Sequence, residues 1–308
     1  MAITPFIFAP FGNPSQSRDS PQSSADLSFT KNFDISKPAV MVFFAHGHEA
    51  TLERDVVSRQ KVLQQLEKAG MNAVLVAPQL AYNKKDSGAG RFNEAGFAKK
   101  FFDEAAIKLA QMHDQQKYNT GRPSKQTIDT FKQMPILMVS YSGGYGASLA
   151  IMEQGMREIP KAGILGPTDV NAQPTLGQRL KGAVLLDTLY GGGDTIKRFA
   201  SQPHRPYVVS NFIENPKNNL PKYTNREVHL YASSKRMLAH GIPNEQQNVK
   251  IYEERVAHAD LVEKGLTRAL QYIPGYRDTG PASIVQKQPD VQQPSQGSRF
   301  RTSPTAQG

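Results

Sequence analysis

The run Pro135-Ile136-Leu137-Met138-Val139-Ser140-Tyr141-Ser142-Gly143-Gly144-Tyr145-Gly146 constrains this chain more than any other. It opens with a short apolar stretch that ends abruptly, as in a strand buried on both faces of a parallel sheet. A serine among small residues follows, and Ala147 to Met152 then reads as the start of a helix. Strand, tight turn and helix within so few residues force the backbone at the turn into a strained conformation. The residues two before and two after its tip must then be small. With the tip at Ser142, those positions are Ser140 and Gly144.

The same grammar recurs along the chain. Ala39 to Ala45 is a continuous apolar run closed by His46-Gly47-His48, and Asn72 to Ala77 is another, closed by Pro78. Between them, Thr51 to Ala69 carries Leu52, Val56, Leu63 and Leu66 on one face, which predicts a single helix ending at Gly70. Strand, helix and strand at this spacing suit a parallel crossover. Further on, helices are predicted over Gly96 to Met112 and Gln126 to Lys132. Strands are predicted over Gly182 to Asp187, Tyr207 to Ile213 and Val249 to Val256. A helix over Asp194 to Ser201 and a last one over Leu261 to Ile273 complete the pattern. This alternation predicts one doubly wound, mainly parallel α/β domain over residues 36–275. Residues 1–35 read as an irregular arm with one short strand near Leu27 to Phe29. Residues 276–308, rich in Gln, Pro and Ser, read as a disordered tail.

Composition excludes several classes. With no cysteine among 308 residues, disulfides, thiolate nucleophiles and cysteine metal sites are ruled out. No apolar run is long enough to span a bilayer. The first basic residue, Arg18, comes too late for a secretory signal, so a cytoplasmic location is expected. The formal charge of +10 is scattered rather than stacked into a stripe with a recognisable module. Specific nucleic-acid binding is therefore not expected.

In such sheets chemistry gathers where strands end at their carboxyl edge. His46-Gly47-His48, Ser142, Asp187 and His258 all fall at such ends. The motif Ser140-Tyr141-Ser142-Gly143-Gly144, with the earlier His46-Gly47-His48 and the late His258, resembles the α/β-hydrolase superfamily over roughly residues 38–273. The departure is Ser140, where the common nucleophile elbow carries glycine. The resemblance implies a serine hydrolase of esters or amides that works through an acyl-enzyme, needs no cofactor and acts on a small-molecule or acyl substrate. It places the nucleophile at Ser142, the base at His258 and the orienting acid at Asp187, with Glu214 as the alternative acid one strand later. The oxyanion donors would be the backbone N–H groups of Gly143 and His48. Tyr82, Tyr141, Tyr145 and Tyr190 fall where they could line a pocket. Two other readings stay open. His46 and His48, with His204, His229 or His258 and Asp187, could build a zinc site for a metal-dependent hydrolase. The chain could also be a non-catalytic binding protein on the same fold.

Overall fold

The computed structural model describes residues 2–10, 23–82, 88–158, 173–188, 190–202, 207–213, 249–254 and 256–276. Their centre is a sheet in the order β1-β2-β4-β3-β5-β6-β7-β8. The strands are β1 (Ala2–Pro5), β2 (Ser24–Phe29), β3 (Val40–Ala45), β4 (Ala73–Pro78), β5 (Ile136–Tyr141), β6 (Leu180–Leu186), β7 (Tyr207–Ile213) and β8 (Val249–Glu254). β1 and β2 run antiparallel to their neighbours, whereas β4, β3, β5, β6, β7 and β8 are mutually parallel. This is an α/β-hydrolase-like arrangement.

Every residue of β3, β4 and β5 is buried, which explains why these strands read as unbroken apolar runs rather than alternating ones. Alternate residues serve two cores. Met41, Phe43, Ile136 and Met138 face one layer, with Phe92, Phe101 and Phe102 and the helices α2 (Phe97–Tyr118) and α4 (Tyr145–Glu158). Val40, Val42, Phe44, Leu137 and Val139 face the other. That layer holds α1 (Val62–Lys68) and the last helix, α7 (Leu261–Gln271). Gln65 ties the two helices together by donating to the Glu263 carbonyl at 2.6 Å. The remaining α-helices among the described residues are α3 (Lys125–Gln133), α5 (Leu176–Arg179) and α6 (Gly193–Ala200).

The structure departs from the sequence reading in three places. Residues 1–35 are not simply an irregular arm, because β1 and β2 extend the sheet. The short strand expected near Leu27 to Phe29 lies within the longer β2, whose first half is polar; its Asp26 is buried and accepts from Ser28 Oγ at 2.7 Å. The predicted helix from Thr51 to Ala69 is two elements. Leu52–Arg59 is a π-helix, Lys61 takes a left-handed φ of +50°, and α1 begins only at Val62. Neither glycine nor proline marks that break. α2 also runs on to Tyr118, past the predicted end, because polar residues continue the helix on its solvent side until Asn119 closes it in the left-handed conformation. The predicted tail over 276–308 lies outside the described residues apart from Tyr276.

Candidate active site

Strand register assembles the site. Ala45 of β3 pairs with Ser140 of β5, and Tyr141 of β5 pairs with Leu186 of β6. The residues that leave these strands therefore stand at one level: Gly47, Ser142 and Asp187. Two are non-glycine residues at positive φ, Ser142 at +49° and Asp187 at +42°, and Glu49 in the loop after β3 sits at +54°. Residues held in the left-handed region cost free energy and concentrate where a side chain must be aimed.

The turn at Ser142 explains its small neighbours. A Cβ on Gly144 would lie 2.2 Å from the carbonyl oxygen of Ala45, so the helix α4 can start only with glycine there. A Cβ on Gly47 would lie 3.1 Å from Ser142 Cβ and 3.2 Å from the Tyr141 ring, so glycine lets the loop after β3 approach the turn. Ser140, two residues before the tip, is fully buried, and its hydroxyl has no hydrogen-bond partner among the described residues. The site accommodates the hydroxyl without satisfying it.

The structure brings His258 and Asp187 together. His258 Nδ1 donates to Asp187 Oδ2 at 2.8 Å, which leaves Nε2 without the proton in the neutral ring. Asp187 is almost fully buried, and His258 is partly exposed. The Tyr141 ring stacks on the imidazole, with centroids 5.0 Å apart and planes at 27°. Burial pushes the Tyr141 phenol upward, so it stays a neutral donor, and its hydroxyl reaches the His258 carbonyl at 2.8 Å. Ser142 is buried, and its Oγ lies 3.1 Å from the Tyr190 hydroxyl. Among the described residues no hydrogen bond joins Ser142 Oγ to the His258 ring. Thr188 Oγ1 donates to the Ser142 carbonyl at 2.6 Å and so braces the turn from the strand that carries Asp187. Glu214, the alternative acid, lies outside the described residues, as do His204 and His229.

His46 is fully committed. Its Nδ1 donates to the Gly47 carbonyl at 2.9 Å, and its Nε2 accepts from the Leu80 N–H at 2.9 Å and from Gln79 Nε2 at 2.9 Å. Burial lowers its pKa to about 4, so the ring is neutral. A metal at His46 would have to break these bonds. The ring instead fixes the path of the His46-Gly47-His48 loop, and Gln79 extends that support through the Ala50 carbonyl at 3.0 Å and the Leu52 N–H at 3.1 Å. Among the described residues no group of three or more His, Asp or Glu side chains is arranged to hold a metal ion. None of their helices is long and apolar enough to cross a membrane.

The sequence reading missed four supports: Thr188, Gln79, the Tyr141 stack on His258, and the pairing of Tyr190 with Ser142. Thr188 and Tyr141 adjoin Asp187 and Ser142 in sequence, which is the one signal that could have singled them out.

The strand order and register are those of an α/β-hydrolase-like fold. No protein-family profile matches the chain, and no curated protein sequence matches it. Among solved structures it is similar to an S-formylglutathione hydrolase from Agrobacterium tumefaciens, at 10% identity over 83% of this chain and 91% of that one, with a TM-score of 0.42. It is also similar to an IroE-like serine hydrolase from Shewanella oneidensis, at 10% identity over 81% and 74% with a TM-score of 0.40. The siderophore hydrolase EstB from Aspergillus nidulans is similar at 9% identity over 84% and 91%, with a TM-score of 0.40.

Proposed function

We propose that this chain is a serine hydrolase that cleaves ester or amide bonds of a small-molecule or acyl substrate through an acyl-enzyme. The observation that carries the reading is the 2.8 Å contact from His258 Nδ1 to Asp187, with Ser142 held at positive φ one strand away. In this reading Asp187 accepts from Nδ1 and fixes the tautomer, so that Nε2 faces the reacting side as the base. Ser142 Oγ turns from Tyr190 toward His258 as substrate enters, and attacks the carbonyl carbon while its proton passes to Nε2. The carbonyl π-bond opens, and its oxygen takes the charge, met by the N–H groups of Gly143 and His48. The tetrahedral intermediate collapses, the bond to the leaving group breaks, and His258 returns the proton to it. Water repeats the sequence on the acyl-enzyme and frees Ser142. With Nδ1 occupied by Asp187, no place on that nitrogen remains for Glu214.

The test is labelling by a fluorophosphonate probe, with turnover of an activated ester alongside. Labelling is expected in the full chain and in Ser140→Ala, and not in Ser142→Ala. Turnover should fall in Ser142→Ala on the order of thousands-fold, as for any member of a unit that acts together. Absence of labelling in the folded parent chain would overturn the proposal, as would retention of labelling in Ser142→Ala.

A further inference from the structure

His258 sits on a short 3-10 turn, His258–Asp260, between β8 and α7. The main chain closes this turn with two bonds, from Asp260 N–H to the Ala257 carbonyl at 2.9 Å and from Leu261 N–H to the His258 carbonyl. Two side chains from elements distant in sequence hold it from outside. Tyr141, the last residue of β5, covers one face of the imidazole and donates to the His258 carbonyl. Arg59, the last residue of the π-helix, donates through Nη1 to the next carbonyl, Ala259, at 2.8 Å.

Arg59 is itself aimed. Its Nε donates to Asp55 Oδ1 at 3.0 Å, and the other oxygen of Asp55 accepts from Thr51 N–H at 2.8 Å and Arg54 Nε at 2.9 Å. Burial alone would raise the Asp55 pKa, but these bonds outweigh it and the net shift is downward, so the carboxylate stays charged. The widened turn belongs to the same device. The Gln60 N–H reaches back to the Asp55 carbonyl at 2.7 Å, a spacing of five residues, and so closes the π-helix at Arg59. Here the turn puts an arginine at the end of one element against the loop that carries the imidazole.

We propose that Tyr141 and Arg59 are positioning residues for His258. Tyr141 fixes the plane of the ring and the first carbonyl of its turn, and Arg59, aimed by Asp55, fixes the second. The inference rests on the reading of His258 as the base, but the ring's fixation can be measured without any reaction. Asp187 holds one edge of the imidazole, and an edge contact alone leaves the ring free to tilt about that bond. A base misplaced by about 1 Å is enough to cost on the order of 10²-fold in rate.

The experiment uses the full chain labelled with ¹⁵N-histidine. The ring Nδ1–H of His258 is identified by its loss in His258→Gln, which separates it from the corresponding signal of His46. Tyr141→Leu should broaden or abolish that resonance and lower kcat for an activated ester on the order of 10²-fold, with KM nearly unchanged. Tyr141→Phe keeps the ring but loses the bond to the His258 carbonyl, and should fall between the parent chain and Tyr141→Leu in both resonance and kcat. Arg59→Gln, at a partly exposed position that keeps the test valid if Tyr141→Leu does not fold, should broaden the resonance and lower kcat about tenfold without raising KM. A sharp resonance and intact kcat in Tyr141→Leu and Arg59→Gln would overturn the proposal. So would equal damage in Tyr141→Phe and Tyr141→Leu. If the parent chain shows no Ser142-dependent turnover, the hydrolase reading falls, and the resonance arm alone decides whether these two residues fix the ring.

Discussion

Gly144→Ala tests the packing that lets the chain turn at Ser142. The added Cβ would lie 2.2 Å from Ala45 O, 2.7 Å from Ala45 C and 2.9 Å from Ala45 Cβ, whereas ordinary contact begins at 3.4 Å. About 1 Å of movement is needed, and the obstacle is backbone rather than the tip of a flexible side chain. Ala45 cannot give way easily, because it is fully buried and paired with Ser140 in the β3–β5 register. Overpacking of a rigid site costs typically about 1–3 kcal/mol, and a clash with central-strand backbone belongs at the top of that range. At about 2–4 °C per kcal/mol for a domain of this size, the melting temperature should drop by roughly 6–12 °C. The assay is thermal melting by circular dichroism, with urea denaturation to confirm that the midpoint moves while the slope does not. Gly121→Ala is the control, since nothing lies within 4 Å of its new Cβ, and it should melt with the parent chain. If Gly144→Ala melts within about 2 °C of the parent, the turn has slack and the steric account of its glycine is wrong.

Three further outcomes are expected. Ser140→Ala removes a buried hydroxyl that has no partner and should stabilise the fold by about 1–2 kcal/mol; a lower denaturation midpoint would show that the hydroxyl is satisfied. His46, neutral with a pKa of about 4 against the ordinary imidazole value of 6.5, binds no proton in the native state through a window where the unfolded chain does. Stability should therefore fall as pH drops from about 6.5 to 4, by about 3 kcal/mol in all, and denaturation midpoints that stay flat between about pH 7 and 5 would refute this. Asp187→Asn removes the charge that accepts from His258 Nδ1 and should lower kcat on the order of 10⁴-fold without unfolding the chain, while a near-normal rate would move the acid elsewhere.

The sheet was legible because its central strands are buried on both faces. Val40–Ala45 and Ile136–Tyr141 carry no exposed residue, so burial wrote an unbroken apolar run into each. The edge was legible only in part: Leu27 to Phe29 reads as a strand, whereas β1 and the first half of β2 do not. β1 is four residues ending in Pro5, and β2 buries Asp26, Ser28 and only two apolar residues, Ala25 and Leu27. Pairing of β2 with β4 and of β1 with β2, which no local pattern announces, completes this edge. The break near Gln60 was hidden for a related reason. Leu52, Val56, Val62 and Leu66 all reach one core, so apolar periodicity passes straight through a change of helix type. What the break serves is a contact from Arg59 to Ala259, and only the folded chain brings those residues together.

The two small positions of the turn show how far a motif carries. Read as a pattern, Ser140 and Gly144 are equivalent, and a serine in either place would weaken the match equally. In the structure they differ. Gly144 meets backbone at 2.2 Å and admits no side chain, whereas Ser140 finds room for its hydroxyl and leaves it unpaired. The departure from glycine at Ser140 therefore falls at the tolerant position, and Ser142 keeps its positive φ despite it. The same logic bears on the proposed acid. Asp187 leaves β6 level with Ser142, because Tyr141 pairs with Leu186, and its own positive φ turns it out of the strand. A carboxylate so buried needs a partner, and His258 Nδ1 at 2.8 Å supplies one. Which segments become buried strands could be inferred from the residues. The register that sets Asp187 beside Ser142 could not, because it depends on which strands become neighbours.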